Sequence, residues 1–537
     1  MPRPCADRRA TADSRLAGFA GGLPDGPAGR LEDRAAPRAR ARLHGRRGAP
    51  PERQRRLRRG QLAGRPAGAG QCPPRSAAAR GDRRHARPEV RQRAPARRPP
   101  VKHLKRLAGL LAALLLLAVA WVGWVNYGDG VDVSAAGPAD TSTALLQRGA
   151  YLAQAGNCIT CHTARGGAAN AGGRPIATPF GTLFTSNLTP DDDTGIGRWT
   201  AAAFWRALHH GRSASGRLLY PAFPYTHTTA LTREDSDALY SYFRSQGAVR
   251  GQVAAHELRW PYSTQAALAV WRALYFKPGA APAVPTDLAA GQDRATVQRG
   301  AYLSYAVAHC SACHAPRDAL GGGDWQSLSG GLLAAEGWYA PSLVSPREAG
   351  MADWPLDDIV QLLRTGVAPH GQVSGPMTEV VTQGTQYLNE PDLRAMATYL
   401  QALPQTDAAA PRSARAAPVR TSALIAGEKL YQQHCTDCHG SQGQGVPNAY
   451  PPLAGNRAVT MPVTHNLLQT VLYGGFAPDT AGHQRPYGMP PFTLVLSDGD
   501  IAALLTYLRA SWGNGAPEVS ALDVNRMRAS VAGNLRP

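Results

Sequence analysis

Three times in 537 residues the chain carries two cysteines separated by two residues and followed at once by a histidine. The three copies are Cys158-Ile-Thr-Cys161-His162, Cys310-Ser-Ala-Cys313-His314 and Cys435-Thr-Asp-Cys438-His439. On a helical turn, two thiols three positions apart reach the two vinyl groups of one porphyrin, and the adjacent histidine projects to the iron. A zinc site would want two Cys-x-x-Cys knuckles per ion and would leave one of the three unmatched. A dithiol redox pair has no need of the histidine. The pattern calls for three covalently bound haem c groups. Cys158, Cys161, Cys310, Cys313, Cys435 and Cys438 form the thioethers, and His162, His314 and His439 are the proximal iron ligands.

The motifs sit in a threefold repeat. Arg148-Gly-Ala-Tyr-Leu152 precedes the first, Arg299-Gly-Ala-Tyr-Leu303 the second and Ala426-Gly-Glu-Lys-Leu430 the third. A second helix is expected after each motif, over 199–211, 354–366 and 465–474, each stopping at a glycine. A closing helix is expected over 231–246, 388–403 and 496–511. Its N-caps would be Thr232, Asn389 and Ser497, with an aspartate three residues later. Apolar residues then recur at helical spacing, with Tyr242, Tyr399 and Tyr507 in register as core residues. The fold class expected is all-α: three tandem cytochrome c domains at 128–255, 291–405 and 421–515. An aromatic connector at 256–290 is expected to pack between the first two, with the membrane or a partner protein as the alternative surface for it. An Ala/Pro-rich linker covers 406–420, and a tail without a clear membrane signal covers 516–537.

In small c-type domains a loop methionine before the final helix usually supplies the distal ligand and raises the potential. Met377, in Gly-Pro-Met-Thr-Glu-Val-Val, and Met489, in Arg-Pro-Tyr-Gly-Met-Pro-Pro-Phe, stand at that place in the second and third repeats. Met461 is the alternative in the third. The first repeat departs from the rule: Phe223 takes the methionine position, and no methionine lies between residues 2 and 350. His227, four residues along the same loop, is the expected substitute. His209 and His210, or an open iron, are the alternatives. An imidazole in place of a thioether would give the first haem the lowest potential of the three.

The net charge of +20 suggests nucleic acid until it is located. Residues 1–100 hold 26 arginines against 8 acidic residues, a net +18, which leaves +2 for the remainder. That first stretch has one aromatic residue, Phe19, and cannot bury enough apolar surface to offset its ordering entropy. A basic tail and a nucleic-acid arm are two readings of it. The favoured third is sequence upstream of the native start, because an export signal begins only at Val101. Lys102, Lys105 and Arg106 precede an apolar run to Val125, so 101–127 reads as a signal anchor or a signal peptide. Either way the rest of the chain is placed outside the cytoplasm, with no nucleic-acid partner. Cys5 and Cys72 lie in the doubtful stretch, and no other cysteine is spare for a disulfide.

From about 143 to 512 the chain resembles the triheme cytochrome c subunits of bacterial membrane-bound dehydrogenases, including those of alcohol and gluconate dehydrogenases. The residues carrying the resemblance are the two Arg-Gly-Ala-Tyr-Leu segments with their motifs, 172–199, 220–225 and 375–381. The resemblance implies an electron relay that takes electrons from a catalytic dehydrogenase subunit to quinone or another respiratory acceptor. The Phe223-Pro-Tyr-Thr-His227 loop looks more like cytochromes accompanying molybdenum hydroxylases such as nicotinate or aldehyde dehydrogenases, with a small iron–sulfur subunit. That favours a molybdenum partner over a flavin one. No dinucleotide fingerprint or second metal cluster is present to carry substrate chemistry, so the chain itself is expected to be non-catalytic. The alternatives are a haem enzyme, a peroxidase or small-oxide reductase working at the first haem, and a cytochrome subunit of a terminal oxidase.

Overall fold

The computed structural model describes residues 101–134, 141–251, 253–288, 291–406 and 420–534. The first hundred residues and most of the 406–420 linker lie outside these.

The apolar run forms one helix, Val101–Val125. Its His103–Val125 portion has a mean hydropathy of 2.3, and none of it is buried among the described residues. At 1.5 Å per residue such a helix is about 35 Å long, enough to cross a hydrocarbon core of about 30 Å. Its far end is tied down. The Asn126 side chain donates to the Ala269 carbonyl at 3.0 Å and accepts from Arg272 Nε at 3.1 Å. Asp129 pairs with Arg206 and Arg212 at 3.6 and 3.4 Å.

Each repeat is built on the crossing of an opening and a closing helix. The opening helices are Thr143–Ala155, Arg294–Tyr302 and Thr421–His434. The closing helices are Arg233–Arg244, Glu390–Ala402 and Asp498–Ala510. Glycine makes the crossing possible. A Cβ at Gly149, Gly300 or Gly427 would lie 2.0, 2.0 or 2.2 Å from the carbonyl oxygen of Ala238, Ala395 or Ala503. The closing helices start where Thr232, Asn389 and Ser497 accept the backbone N–H of Asp235, Asp392 and Asp500, satisfying an otherwise orphaned donor. The middle helices, Ala201–His210, Leu356–Thr365 and His465–Tyr473, end at Gly211, Gly366 and Gly474 in positive φ.

Two features differ from three separate all-helical units. First, short antiparallel hairpins decorate the helices, such as Pro175–Thr178 with Gly181–Phe184 and Gly331–Leu333 with Trp338–Ala340. Their strands are too short to show an alternating pattern in sequence. Second, the first two repeats share one core, in which Leu152, Phe204 and Phe243 join Val297, Ile359, Leu393 and Met396. The third repeat has its own core around Tyr431, Leu472, Ile501 and Leu505. A C-terminal helix, Ala521–Asn534, adds Val524 and Met527 to it. The third repeat meets the second through Asn466 and Tyr339, whose side-chain and backbone groups exchange bonds at 2.9 and 2.7 Å. The connector helix Gln265–Tyr275 lies against both of the first two repeats. It buries Arg272, donates from Trp271 to the Leu320 carbonyl at 3.1 Å, and bonds Tyr275 to Asp318 at 2.7 Å.

Candidate haem sites

Each Cys-x-x-Cys-His motif folds into a short helical turn: Cys158–His162, Ser311–His314 and Thr436–His439. The three histidines are held alike. His162 Nδ1 lies 2.7 Å from the Ser186 carbonyl, His314 Nδ1 lies 2.7 Å from that of Pro341, and His439 Nδ1 lies 3.0 Å from that of Pro451. A carbonyl can only accept, so Nδ1 carries the proton and Nε2 keeps the free lone pair a metal needs. Burial also pushes all three below the usual imidazole pKa, with the carbonyl bond opposing it. The carbonyl of each histidine in turn accepts a glycine N–H, from Gly172, Gly330 and Gly445, at 2.7, 2.8 and 2.8 Å.

These residues fit haem c. None of the six cysteines is core-buried, and none is joined to another in a disulfide. Apolar side chains stand exposed near the third motif. Val446, Phe476 and Tyr487 lie on the segments that carry Tyr450 and Met489, and the Tyr450 ring contacts those of both His439 and Tyr487. Such a surface suits the face of a flat apolar macrocycle.

The described methionines divide into two groups. Met351, Met396, Met461 and Met527 are buried in the cores, whereas Met377 and Met489 are half-buried. Met489 sits in the hairpin of Gly475–Phe476 with Gly488–Met489. Met377 opens the helix Pro376–Gln383, whose leading Gly375 rests against Trp338 so closely that a Cβ would meet the indole at 2.5 Å. Met461 belongs to the core, and its carbonyl accepts from Arg509 at 3.0 Å.

In the first repeat Phe223 is half-buried against the shared core. His227 is engaged differently from the expectation that it serves the first haem. It is fully buried on the short helix Tyr225–Thr228. Its Nδ1 lies 2.9 Å from Thr226 Oγ1 and its Nε2 lies 2.9 Å from Ser311 Oγ, inside the second attachment motif. Both ring nitrogens therefore have protein partners. Burial, with His309 and Arg317 nearby, pushes its pKa down to about 3 and keeps it neutral. Of the two alternatives, His209 stacks on Trp205 at 4.2 Å and leaves a buried Nδ1 without a partner. His210 gives its carbonyl to Arg272 at 2.8 Å.

Sequence reasoning missed the groups that join the first two sites. Tyr151 donates to Asp392 at 2.6 Å, and Arg299 grips the same carboxylate twice at 2.8 Å. Reciprocally, Tyr302 and Arg148 both donate to Asp235. The signal is present in the repeated Arg-Gly-Ala-Tyr, whose arginine and tyrosine carry these bonds. The attachment segments also adjoin, with His309 Nε2 3.3 Å from the Gly156 carbonyl.

Comparison with known proteins agrees with this geometry. The family profile described as cytochrome c matches residues 146–247 and 424–512, which contain the first and third motifs. The cytochrome c subunit of alcohol dehydrogenase (quinone) from Gluconacetobacter polyoxogenes is 38% identical over 410 residues, covering 73% of this chain and 86% of that protein. The chain belongs to the family of dehydrogenase cytochrome c subunits. The gluconate 2-dehydrogenase cytochrome c subunit of Pantoea cypripedii, another relative, is 36% identical over 401 residues, covering 72% of this chain and 90% of that one. A subunit of nicotinate dehydrogenase from Pseudomonas putida is 39% identical over 419 residues, covering 76% of this chain and 34% of that much longer protein. Membership of this family makes electron transfer the role of the chain.

Proposed function

We propose that this protein is a three-haem electron-transfer subunit, with one cytochrome c domain per motif, anchored by Val101–Val125 on the periplasmic face of the inner membrane. It takes electrons from a catalytic dehydrogenase subunit and delivers them to quinone or another respiratory acceptor. The observation that carries this reading is the threefold proximal geometry: three histidines, each with Nδ1 fixed on a backbone carbonyl and each beside two cysteines. Haem c bound at each turn would supply reversible one-electron storage at its iron.

The chain's own residues do the rest. The six cysteines would tether the groups, the three carbonyls orient the imidazoles of His162, His314 and His439, and Met377 and Met489 would supply the remaining protein ligands of the second and third sites. The shared core of the first two repeats holds their attachment turns side by side in a fixed relation. The loop running from Phe223 to His227 supports a molybdenum hydroxylase as the catalytic partner, with a small iron–sulfur subunit. A flavin-dependent alcohol or gluconate dehydrogenase is the next choice.

The test is to produce the full chain with haem maturation in its native host and purify it from membranes. Three haems per chain, no substrate turnover by the isolated subunit, and a co-purifying dehydrogenase that reduces it are the expected results. Fewer than three haems, or peroxide turnover by the isolated chain, would overturn the reading. Molybdenum or flavin in the co-purified partner decides its class.

A further inference from the structure

In each of the first two repeats, the short helix ahead of the closing helix reaches out of its own repeat and onto the attachment turn of the other. In the first repeat, Tyr225–Thr228 packs on the π-helical turn Leu303–Val307 that leads into the second motif. There Tyr305 donates to the Thr226 carbonyl at 3.1 Å. His227, 1% exposed, bonds Ser311, 2% exposed, between the two haem-bearing cysteines Cys310 and Cys313. In the second repeat, Pro376–Gln383 lies against Cys158–His162. Glu379, two residues beyond Met377, holds Arg174 at two points, 2.7 and 3.0 Å, and Arg174 donates to the Thr160 carbonyl at 2.5 Å, between Cys158 and Cys161. The arrangement is reciprocal: a short helix of each repeat braces the attachment segment of the other.

The chemistry at His227 is closed. A neutral imidazole has one donor and one acceptor nitrogen. Here each is matched by one hydroxyl, Thr226 and Ser311, in either tautomer. Coordinating the first iron would require His227 to abandon one of these buried partners. A buried side chain fully satisfied by a fixed hydroxyl is placed to orient that hydroxyl's backbone turn instead.

We infer that His227 is a positioning residue of the second haem site, acting through Ser311, and not the distal ligand of the first, so that the first two sites form a mechanically coupled pair. This rests on the three-haem reading. Contacts one step removed from a metal orient the groups that bind it and tune its potential. The Ser311 turn carries both thioether bonds and the His314 ligand, so loosening it moves the second site and spares the first.

The experiment uses the full, haem-loaded chain and the variants His227→Ala, His227→Gln, Ser311→Ala and the double alanine variant. Haem content, low-temperature EPR and a spectroelectrochemical titration are read on each. The second haem is identified by its response to Met377→His. In His227→Ala the first haem keeps its spin state, and the second haem's reduction equilibrium shifts by up to about tenfold, or about 59 mV for one electron. Ser311→Ala reproduces that shift, the double variant adds nothing further, and His227→Gln, which keeps a donor and an acceptor, restores most of it. A first haem turned high spin in His227→Ala overturns the inference. So does a Ser311→Ala variant with wild-type potentials, and this gentler variant decides the matter if His227→Ala does not fold. A wild-type chain lacking haem at Cys310 and Cys313 sinks both this inference and the three-haem reading. Lack of haem at Cys158 and Cys161 also sinks both, and lack of haem at the third motif strikes only the latter.

Discussion

Replacing Gly427 by alanine tests whether the glycine of each repeat exists to let two helices touch. The added Cβ would lie 2.2 Å from the Ala503 carbonyl oxygen, 2.6 Å from Tyr507 Cβ and 2.8 Å from the Ala503 carbonyl carbon. Ordinary contact begins at about 3.4 Å, so the two helices must separate by roughly 1.2 Å at the crossing. No rotamer change relieves this, because two of the three atoms met are backbone. Overpacking a core typically costs about 1–3 kcal/mol, and a rigid backbone clash puts this case at or above about 3 kcal/mol. The gain in helix propensity on going from glycine to alanine, about 1 kcal/mol, offsets part of it. A net loss of about 2 kcal/mol or more is expected, confined to the third repeat because that repeat has its own core. Thermal unfolding followed in the Soret band should show an early phase carrying one third of the haem signal, with the remainder unmoved. A variant that melts as the wild type does, with all three haems in place, would refute the reasoning.

Four further outcomes are expected. Tyr151→Phe removes a bond to a charged carboxylate and should destabilise the joint between the first two repeats by about 1.5 kcal/mol, read as a lower urea midpoint for those haems alone. Burial works to raise the Asp392 carboxyl, but hydrogen bonds from Arg299 and Tyr151 outweigh it and hold the group below its ordinary value. A depressed carboxylate adds stability above its unfolded pKa of about 3.9 that is lost as pH falls through the folded value. Asp392→Asn should therefore flatten the acid limb of the stability profile below about pH 4 while lowering stability at neutral pH. Met489→Ala should turn the third haem high spin and lower its potential with the other two unchanged. Deleting Val101–Val125 behind a cleavable export signal should release a haem-loaded protein from membranes, and retention would show that another surface binds them.

The chemistry is legible in the sequence because it is local: six cysteines and three histidines announce themselves by spacing, and the caps Thr232, Asn389 and Ser497 by their place before apolar periodicity. What escapes such a reading depends on partners far along the chain. An apolar helix face looks the same whether it is buried within a repeat or against the next one, so the pattern of Val297, Ile359 or Leu393 does not disclose the shared core of the first two repeats. The Ser311 hydroxyl that His227 meets is 84 positions away along the chain. Among its residues of described burial, the C-terminal helix buries Val524 and Met527, one turn apart, too short a pattern to separate it from a tail.

One difference among the repeats explains why two of them merge and the third stands apart. In the first and second, arginine precedes the crossing glycine and tyrosine follows it by two positions, as Arg148 with Tyr151 and Arg299 with Tyr302. Each arginine binds the aspartate of its own closing helix, and each tyrosine crosses to the aspartate of the other repeat. Asp235 and Asp392 thus each accept from both repeats, and neither pair can part without leaving a buried carboxylate under-bonded. In the third repeat the same positions are Ala426 and Lys429, which supply neither bond. Asp500 turns back instead to its own N-cap, accepting from the Ser497 hydroxyl at 2.6 Å and from its backbone N–H at 3.1 Å. A carboxylate satisfied within its own repeat needs nothing from a neighbour. The third unit therefore keeps a separate core and meets the second through Asn466, Gln469 and Arg457. These contacts are polar, with Pro478 lying against Gly366 beside them, and a joint of this kind is made and broken more readily than a common apolar core.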